Sequence, residues 1–200
     1  MNRIVLRGII KNIEPSHTID DIIFNKAKVI CRRDNGQEDI INLSFKSFSN
    51  KYKENDEICI SGNLRSYSYK IDEETNKVVV YVFTYFDIPE DTDFTHNTVE
   101  IDGRICKINK LRTTKNGKHN LHFILANNIL SNDGNKRLNS YIPCIVWGKL
   151  AREMSQLNVN SRIKLKGSLQ SREHKKVHKN GNIEIRVAHE LLITEYEVIE

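Results

Sequence analysis

The sequence predicts an all-β protein built from two small barrels in tandem, and two observations carry that prediction. Short runs in which apolar and polar residues alternate recur along the chain, separated by turn dipeptides such as the Asn-Gly of residues 35–36. The chain also repeats itself: "NRIVLRG" at 2–8 corresponds to "NTVEIDG" at 97–103, and "ICISGNLRSYSY" at 58–69 corresponds to "IKLKGSLQSREH" at 163–174. Period-two alternation is typical of half-buried strands, and a long internal repeat indicates two copies of one domain.

Each copy contains five runs with strand character. In the first copy they cover residues 3–10, 26–33, 39–45, 56–69 and 77–88. In the second copy they cover residues 98–108, 119–129, 140–150, 161–174 and 182–196. One short helix is predicted at 149–157, after the third strand of the second copy. Five strands in about 100 residues, with a helix after strand three, are typical of the five-stranded Greek-key barrel known as the oligonucleotide-binding (OB) fold.

The boundary between the copies is predicted near "PEDTDFTH" at 89–96, where Pro, acids and Thr occur with little periodicity. This gives a first OB-fold domain at 1–92 and a second at 97–200. The offset between the copies grows from 95 at the first glycine to 105 at the second, so about ten extra residues are expected around 127–140 and after Trp147. From residues 58 and 163 onward the two copies align without gaps. This alignment matches Gly62 with Gly167, Leu64 with Leu169, Val82 with Val187, and Ile88 with Ile193.

The two copies differ in net charge. Residues 1–95 carry 13 Lys and Arg against 16 Asp and Glu, whereas residues 97–200 carry 18 against 10. Such asymmetry suggests that the basic half meets a polyanion. The second copy is therefore the expected binding domain, and the first is expected to be a degenerate, acidic copy.

Several classes of protein are not predicted. No apolar run reaches the roughly 18 residues that a membrane span needs, and "MNRIVLRGIIKN" lacks the features of a signal peptide, so a cytoplasmic location is expected. The four cysteines lie singly in strands and are expected to fill the core. His174 and His178 lack the partners of a zinc site, so no metal or other cofactor is expected. Neither clustered carboxylates nor a catalytic motif indicates an enzyme.

The second copy resembles the bacterial single-stranded-DNA-binding protein family over roughly residues 97–195. The resemblance is carried by "LRTTKNGK" (111–118), "HFILA" (122–126), "YIPCIVWGKLAREM" (141–154) and "IKLKGSLQSREH" (163–174). Strand three of that family has two aromatics with five residues between them before Gly-Lys-Leu-Ala, matched by Tyr141 and Trp147. Two aromatics of the family lack counterparts here, near Leu130 and at His174. The chain ends at "EYEVIE" without the family's acidic tail, so recruitment of repair or replication enzymes through such a tail is not expected.

The strand-three aromatics are the principal candidates for base binding. In an extended strand Tyr141, Pro143, Ile145 and Trp147 share one face, while Ile142, Cys144 and Val146 share the other. Stacking on an aromatic ring gives affinity without sequence readout because every base has a π-face. The pattern by itself is equally compatible with Trp147 as a core residue, and the resemblance favours stacking. In the first copy, Tyr67 and Tyr69 are candidates for stacking, although Asp72, Glu73 and Glu74 nearby repel phosphate.

Cations are expected to surround these aromatics. In the OB fold the loops between strands one and two and between strands four and five flank the binding face. A solvated lysine-rich surface is the alternative interpretation. The candidate phosphate ligands are Lys107, Arg112, Lys115, Lys118, Lys149, Arg172, Lys175, Lys176 and Lys179, and His174 is a candidate for stacking or phosphate contact.

The predicted function is non-sequence-specific binding and protection of single-stranded DNA in replication, recombination or repair. An RNA-binding or primosome-type module of the same fold is the alternative, and a nuclease and a protein-interaction barrel are weaker rivals. Because members of the resembled family usually combine four barrels, a homodimer is expected. The first strands and the hairpins between strands four and five are its candidate contacts.

Overall fold

The computed structural model describes residues 1–47, 52–70, 76–87, 97–130, 137–177 and 183–199, and the predicted linker at 89–96 lies outside them. The described residues form eleven strands and one helix. These elements are β1 Asn2–Ile19, β2 Ile22–Arg32, β3 Glu38–Lys46, β4 Glu57–Lys70, β5 Asn76–Asp87, β6 Thr98–Ile108, β7 Arg112–Thr113, β8 His119–Leu130, β9 Arg137–Trp147, α1 Gly148–Met154, β10 Arg162–Val177 and β11 Ile183–Val198.

The strands form two Greek-key barrels, as predicted. In barrel one, β1 pairs with β2 and β4, β2 with β3, and β4 with β5, all antiparallel. A parallel pairing of β3 with β5 closes it. Barrel two repeats the order with β6, β8, β9, β11 and β10, closed by a parallel pairing of β9 with β11. Alternation drives this closure, because every second residue of a strand such as β3 is buried.

Three elements differ from the prediction. Strand β1 continues to Ile19 and turns into β2 through Asp20 and Asp21, whose φ angles are 46° and 63°. Positive φ at both central residues is the requirement of a type I′ hairpin turn, and Asp-Asp is a weaker signal of it than Asn-Gly. The short strand β7 was not predicted, and the helix ends at Met154, three residues before the expected end.

The internal repeat is visible as a pair of equivalent asparagine clamps. Asn2 donates from Nδ2 to the Leu64 carbonyl oxygen at 2.8 Å, and the Leu64 amide donates to Asn2 Oδ1 at 2.8 Å. Asn97 makes the same two bonds with Leu169, with 2.9 Å for the bond that Leu169 donates. Each asparagine therefore satisfies both backbone groups of one residue on strand four of its own barrel.

The gapless alignment of the last two strands was wrong. Val82 lies opposite Leu64, whereas the residue opposite Leu169 is Leu191 and not Val187. The β10–β11 hairpin is thus four residues longer than the β4–β5 hairpin. Because four is an even number, the alternation of buried and exposed residues stays in phase, and the pattern does not reveal the insertion. Ile88 lies outside the described residues.

The two barrels are joined by an internal two-fold arrangement. Strands β1 and β6 pair antiparallel, with Ile4 opposite Val99 near the centre. The hairpin between strands four and five of each barrel also contacts strand three of the other barrel. The Ile40 amide donates to Ser171 Oγ at 2.8 Å, and the Tyr141 amide donates to Ser66 Oγ at 2.7 Å. The first strands and hairpins that were expected to join two chains therefore join the two barrels of one chain.

A buried carboxylate strengthens one of these crossings. Asp39 is 1% exposed and accepts bonds from Arg33 at 2.7 and 2.6 Å and from the Ser171 amide at 2.6 Å. Beside it, His189 of β11 donates from Nε2 to the Ile40 carbonyl oxygen at 2.7 Å. Charged and buried hydrogen bonds of this kind fix the position of the β10–β11 hairpin on barrel one.

The cysteine prediction holds for two residues. Cys31 and Cys144 are 2% and 1% exposed, and burial raises the pKa of the Cys31 thiol to about 12. Cys59 is half-buried because it alternates with the buried Ile58 and Ile60. Cys106 is exposed because it follows the buried Ile105 on β6, at a β-bulge between Ile105 and Lys107. No helix among the described residues is long and apolar enough to span a membrane.

Candidate nucleic-acid interface

Strand β9 presents its two aromatics on the outward face of barrel two. Ile142, Cys144 and Val146 are at most 1% exposed and fill the core, whereas Tyr141 is 50% exposed and Trp147 is 41% exposed. The assignment of the two faces is therefore confirmed, and Trp147 is not a core residue. The two rings are six positions apart, which corresponds to about 20 Å along an extended strand and leaves room for several nucleotides.

The centre of this face is packed rather than open. Ile145 points outward but is only 7% exposed, between its neighbours His122 on β8 and Leu192 on β11. The same region carries Glu190, whose Oε1 lies 3.5 Å from Arg172 Nη2 and 3.9 Å from His122 Nδ1. An acid at this position repels phosphate and neutralises Arg172. Sequence reasoning missed both His122 and Glu190, although each alternates with core residues and so must face outward.

Arg112 lies on the same face as Trp147. It pairs with Asn120, and Asn120 pairs with Trp147, so the three residues form one row across β7, β8 and β9. Directly paired residues share a face, and two strand spacings amount to about 10 Å. A base on the indole and its own phosphate near the guanidinium are compatible with that separation.

The other loop cations that the structure describes are also exposed. Lys115 and Lys118 belong to a turn in which the Thr114 amide donates to the Lys118 carbonyl oxygen at 2.8 Å. Lys107 is exposed beside the bulge of β6. Lys149, in the first turn of α1, has a side chain that is 85% exposed and lies 3.6 Å from Glu153. These cations are free to move toward a bound phosphate at little cost, because surface ion pairs are weak.

The β10–β11 hairpin is described in part. Lys175 is exposed on β10, and the backbone of His174 pairs with Arg186. The side chains of His174 and Lys176 and the whole of Lys179 lie outside the described part of the chain. Their predicted contacts with phosphate remain predictions.

Barrel one lacks the strand-three aromatics. Leu43 on strand three of barrel one pairs with Ala27 and Val82. Cys144 on strand three of barrel two pairs in the same way with Phe123 and Leu191, so Leu43 and Cys144 occupy equivalent positions. By that register Lys46 stands at the position of Trp147, and Ile40 at that of Tyr141. Tyr67 and Tyr69 on β4 are instead exposed aromatics of its described part, at 54% and 45%, with ring centroids 6.3 Å apart.

A groove of about 970 Å³ lies between barrel one and the β10–β11 hairpin. Lys26, Lys28 and Lys77 line it, together with Tyr67 and Tyr81. Sequence reasoning missed the lysines and Tyr81. The spacing Lys-x-Lys in "NKAKVI" carried the signal, because two residues apart on a strand means one face. This surface of the first copy therefore carries three lysines, although the net charge of that copy is negative.

No group of three or more His, Cys, Asp and Glu side chains that could hold a metal ion occurs among the described residues.

Known proteins resemble this chain in sequence and in fold. The model of the single-strand binding protein family matches residues 96–197. Two solved structures of the single-stranded DNA binding protein from Thermus aquaticus, a deletion mutant and the wild type, superpose with a TM-score of 0.73 each, at 17% and 16% identity. Both alignments cover 100% of this chain, and 95% and 93% of the respective Thermus chains. At that identity the likeness shows the fold. A search of curated protein sequences finds no match.

Proposed function

This chain belongs to the single-strand binding protein family and binds single-stranded DNA; we propose that it does so without sequence readout, by stacking bases on exposed aromatics and placing phosphates among Lys and Arg side chains. Members of this family are non-enzymatic DNA-binding proteins. The proposed role is protection of exposed strands in replication, recombination or repair, at DNA in the nucleoid.

The observation that carries the proposed mechanism is the exposure of Trp147 and Tyr141 on one strand of a barrel whose core is filled without them. An aromatic side chain that is 41% or 50% exposed stabilises the fold less than a buried one does, and its exposed ring surface is available to a ligand. Rings along one strand, with Arg112 in the row of Trp147, suit a ligand that alternates bases and phosphates.

Fluorescence titration tests this mechanism, because Trp147 is the sole tryptophan. We expect long oligo-dT to quench its emission strongly and saturably. Trp147→Ala should weaken binding by about 1–3 kcal/mol, and Tyr141→Ala should weaken it less because its ring is smaller. Both variants should keep an unfolding midpoint near that of the wild type.

Val159 provides a matched control, since it is also 50% exposed but lies outside the strand-three face. Val159→Ala should bind as the wild type does. A Trp147→Ala protein that is destabilised by about 3–5 kcal/mol, the loss typical of a core aromatic, and still binds would refute the stacking mechanism. Stacking faces accept both DNA and RNA, so the titration is repeated with RNA of matched sequence. Tighter binding of RNA than of DNA would favour the RNA-binding or primosome-type alternative.

A further inference from the structure

We infer that the side-chain oxygen of Asn120 on β8 accepts a hydrogen bond from the base that stacks on Trp147, taking an N–H of the base edge that faces the sheet. This inference rests on the proposed function, because it adds one contact beside the aromatic of β9. The observation behind it is that Asn120 Oδ1 is buried and has no hydrogen-bond partner among the described residues.

Asn120 is buried although its position on β8 faces outward. Its neighbour Leu121 is 0% exposed and points into the core of barrel two, so alternation turns Asn120 to the opposite face. Asn120 is nevertheless only 9% exposed. A buried amide oxygen without a partner destabilises the folded state, and such groups are rare in proteins. The described chain therefore does not supply the partner that a buried acceptor normally has.

The other buried asparagines of the described residues use their side-chain oxygens within the fold. Asn2 Oδ1 and Asn97 Oδ1 each accept from a backbone amide of strand four, at 2.8 and 2.9 Å. Asn127 Oδ1 accepts from Asn2 Nδ2 at 2.7 Å. Packing of the barrels accounts for these three oxygens. The Asn120 oxygen has no equivalent role in the fold, so a ligand is the partner that would satisfy it.

The strand register places Asn120 beside the proposed stacking ring. Asn120 pairs directly with Trp147 on β9 and with Arg112 on β7, so it lies between the indole and the guanidinium in one row. The Cβ atoms of directly paired residues are about 4.5–5.5 Å apart. A base stacked on the indole can therefore turn one edge toward Asn120 while its phosphate lies near Arg112.

An amide oxygen at this place suits every base. Thymine and guanine carry a ring N–H on the Watson–Crick edge, and cytosine and adenine carry an amino group there. This edge is open in a single strand and is bonded to the partner base in a duplex. The contact therefore adds affinity for single strands over duplex without selecting a sequence, which agrees with the proposed mode of binding.

A strand that lacks the donor tests the contact on the wild-type protein. N3-methylthymine keeps the π-face and both carbonyl groups of thymine but has no N–H. We expect an oligomer of N3-methylthymidine to bind about five- to tenfold more weakly than oligo-dT of the same length, a loss typical of one hydrogen bond to a buried acceptor. Quenching of Trp147 at saturation should be equal for the two strands, because stacking is retained.

Asn120→Leu removes the acceptor from the protein. Leucine has the same branching as asparagine but no polar atom, so we expect an unfolding midpoint at or above that of the wild type. The variant should bind oligo-dT about as weakly as the wild type binds the methylated strand, and it should not distinguish the two strands. A steric effect of the added methyl group would not give this result, because it would leave the binding of oligo-dT to Asn120→Leu unchanged.

Asn158→Leu is the matched control, because the same chemical change is made at an exposed position between α1 and β10. It should keep both the wild-type affinity for oligo-dT and the discrimination against the methylated strand. Loss of discrimination in this variant as well would assign the effect to the substitution of any asparagine and overturn the role of Asn120.

The remaining outcomes separate this inference from the proposed function. If the wild type binds both strands equally, or if Asn120→Leu binds oligo-dT as the wild type does, Asn120 is not a base contact and the stacking mechanism stands. A lower unfolding midpoint of Asn120→Leu with unchanged discrimination would assign the residue to the fold. Absence of Trp147 quenching with both strands would instead contradict the stacking mechanism.

Discussion

At the scale of single residues, Glu190 shows how one acid limits the binding face. It lies beside both Arg172 and His122 on that face, and its side chain is 19% exposed. A carboxylate in the path of a polyanion lowers affinity in two ways, by direct repulsion and by occupying a cation. The face is therefore weaker than its aromatics and cations would allow.

Replacing this acid should strengthen binding. We expect Glu190→Gln to raise the affinity for oligo-dT several-fold and to steepen its salt dependence, because Arg172 becomes available to phosphate. Glu195→Gln is the control: Glu195 also pairs with a cation, Lys166 at 3.6 Å, but lies further along β11. If both substitutions raise affinity equally, the effect belongs to net charge and not to this position.

His189 makes the junction of the barrels sensitive to pH. Its ring lies against Ile40, and burial is the main cause that lowers its pKa below the usual 6.5. The folded state therefore binds fewer protons than the unfolded state between these two pKa values. The contribution of neutral His189 to stability is complete above about pH 6.5 and is lost as the pH falls toward the lowered pKa.

Urea unfolding between pH 8 and pH 5 checks this sign. We expect the free energy of unfolding of the wild type to fall more steeply below about pH 6.5 than that of His189→Gln, which cannot take up a proton. The difference between the two curves isolates His189, because all other titrating groups are shared. Parallel curves would show that His189 titrates alike in both states.

At the scale of elements, the hairpins depend on close approach between strands. A Cβ at Gly167 would lie 1.9 Å from the Leu192 carbonyl oxygen, and one at Gly62 would lie 2.4 Å from that of Phe83. Both glycines stand at the bulge that bends strand four of its barrel toward strand five. Only a residue without Cβ permits this bend, so the two positions are equivalent in the repeat for a steric reason.

Gly167→Ala should accordingly destabilise the protein by about 3 kcal/mol or more, since the contact is with backbone and the strands must separate. Ser168→Ala, at the next position, should change the free energy of unfolding by less than about 1 kcal/mol. Denaturant unfolding monitored by Trp147 emission measures both. A Gly167→Ala protein as stable as the wild type would mean that the bulge can shift without cost.

At the scale of the whole molecule, the two barrels share one continuous core cluster and an internal two-fold pairing of β1 with β6. This chain thus contains, within itself, the kind of contact that could otherwise join two separate barrels. A homodimer with four barrels remains our proposal, and it must use surfaces other than those first strands and hairpins.

Light scattering at micromolar concentration tests the assembly. We expect a mass twice the 23.3 kDa of one chain. The mass should not change in the Ile185→Glu variant, whose substitution lies in the groove within one chain. A mass of one chain at this concentration would exclude the dimer.

The sequence by itself determined the features that depend on alternation along a strand. It predicted the two barrels, the extra residues after strands two and three of the second copy, and the division of strand three into two faces, although the pattern alone did not decide whether Trp147 lies in the core. Burial of every second residue is a local rule, so a single chain segment suffices to apply it.

Only the tertiary structure decided what depends on partners distant in the sequence. The four-residue shift of Val82 against Leu191 keeps the alternation in phase, and so no local pattern distinguishes it. The pairing of Arg172 with Glu190, and the meeting of Lys28 with Ile185 in one groove, join residues from different strands or different barrels. Such contacts follow from strand register and barrel packing, which the chain settles only when all strands are in place.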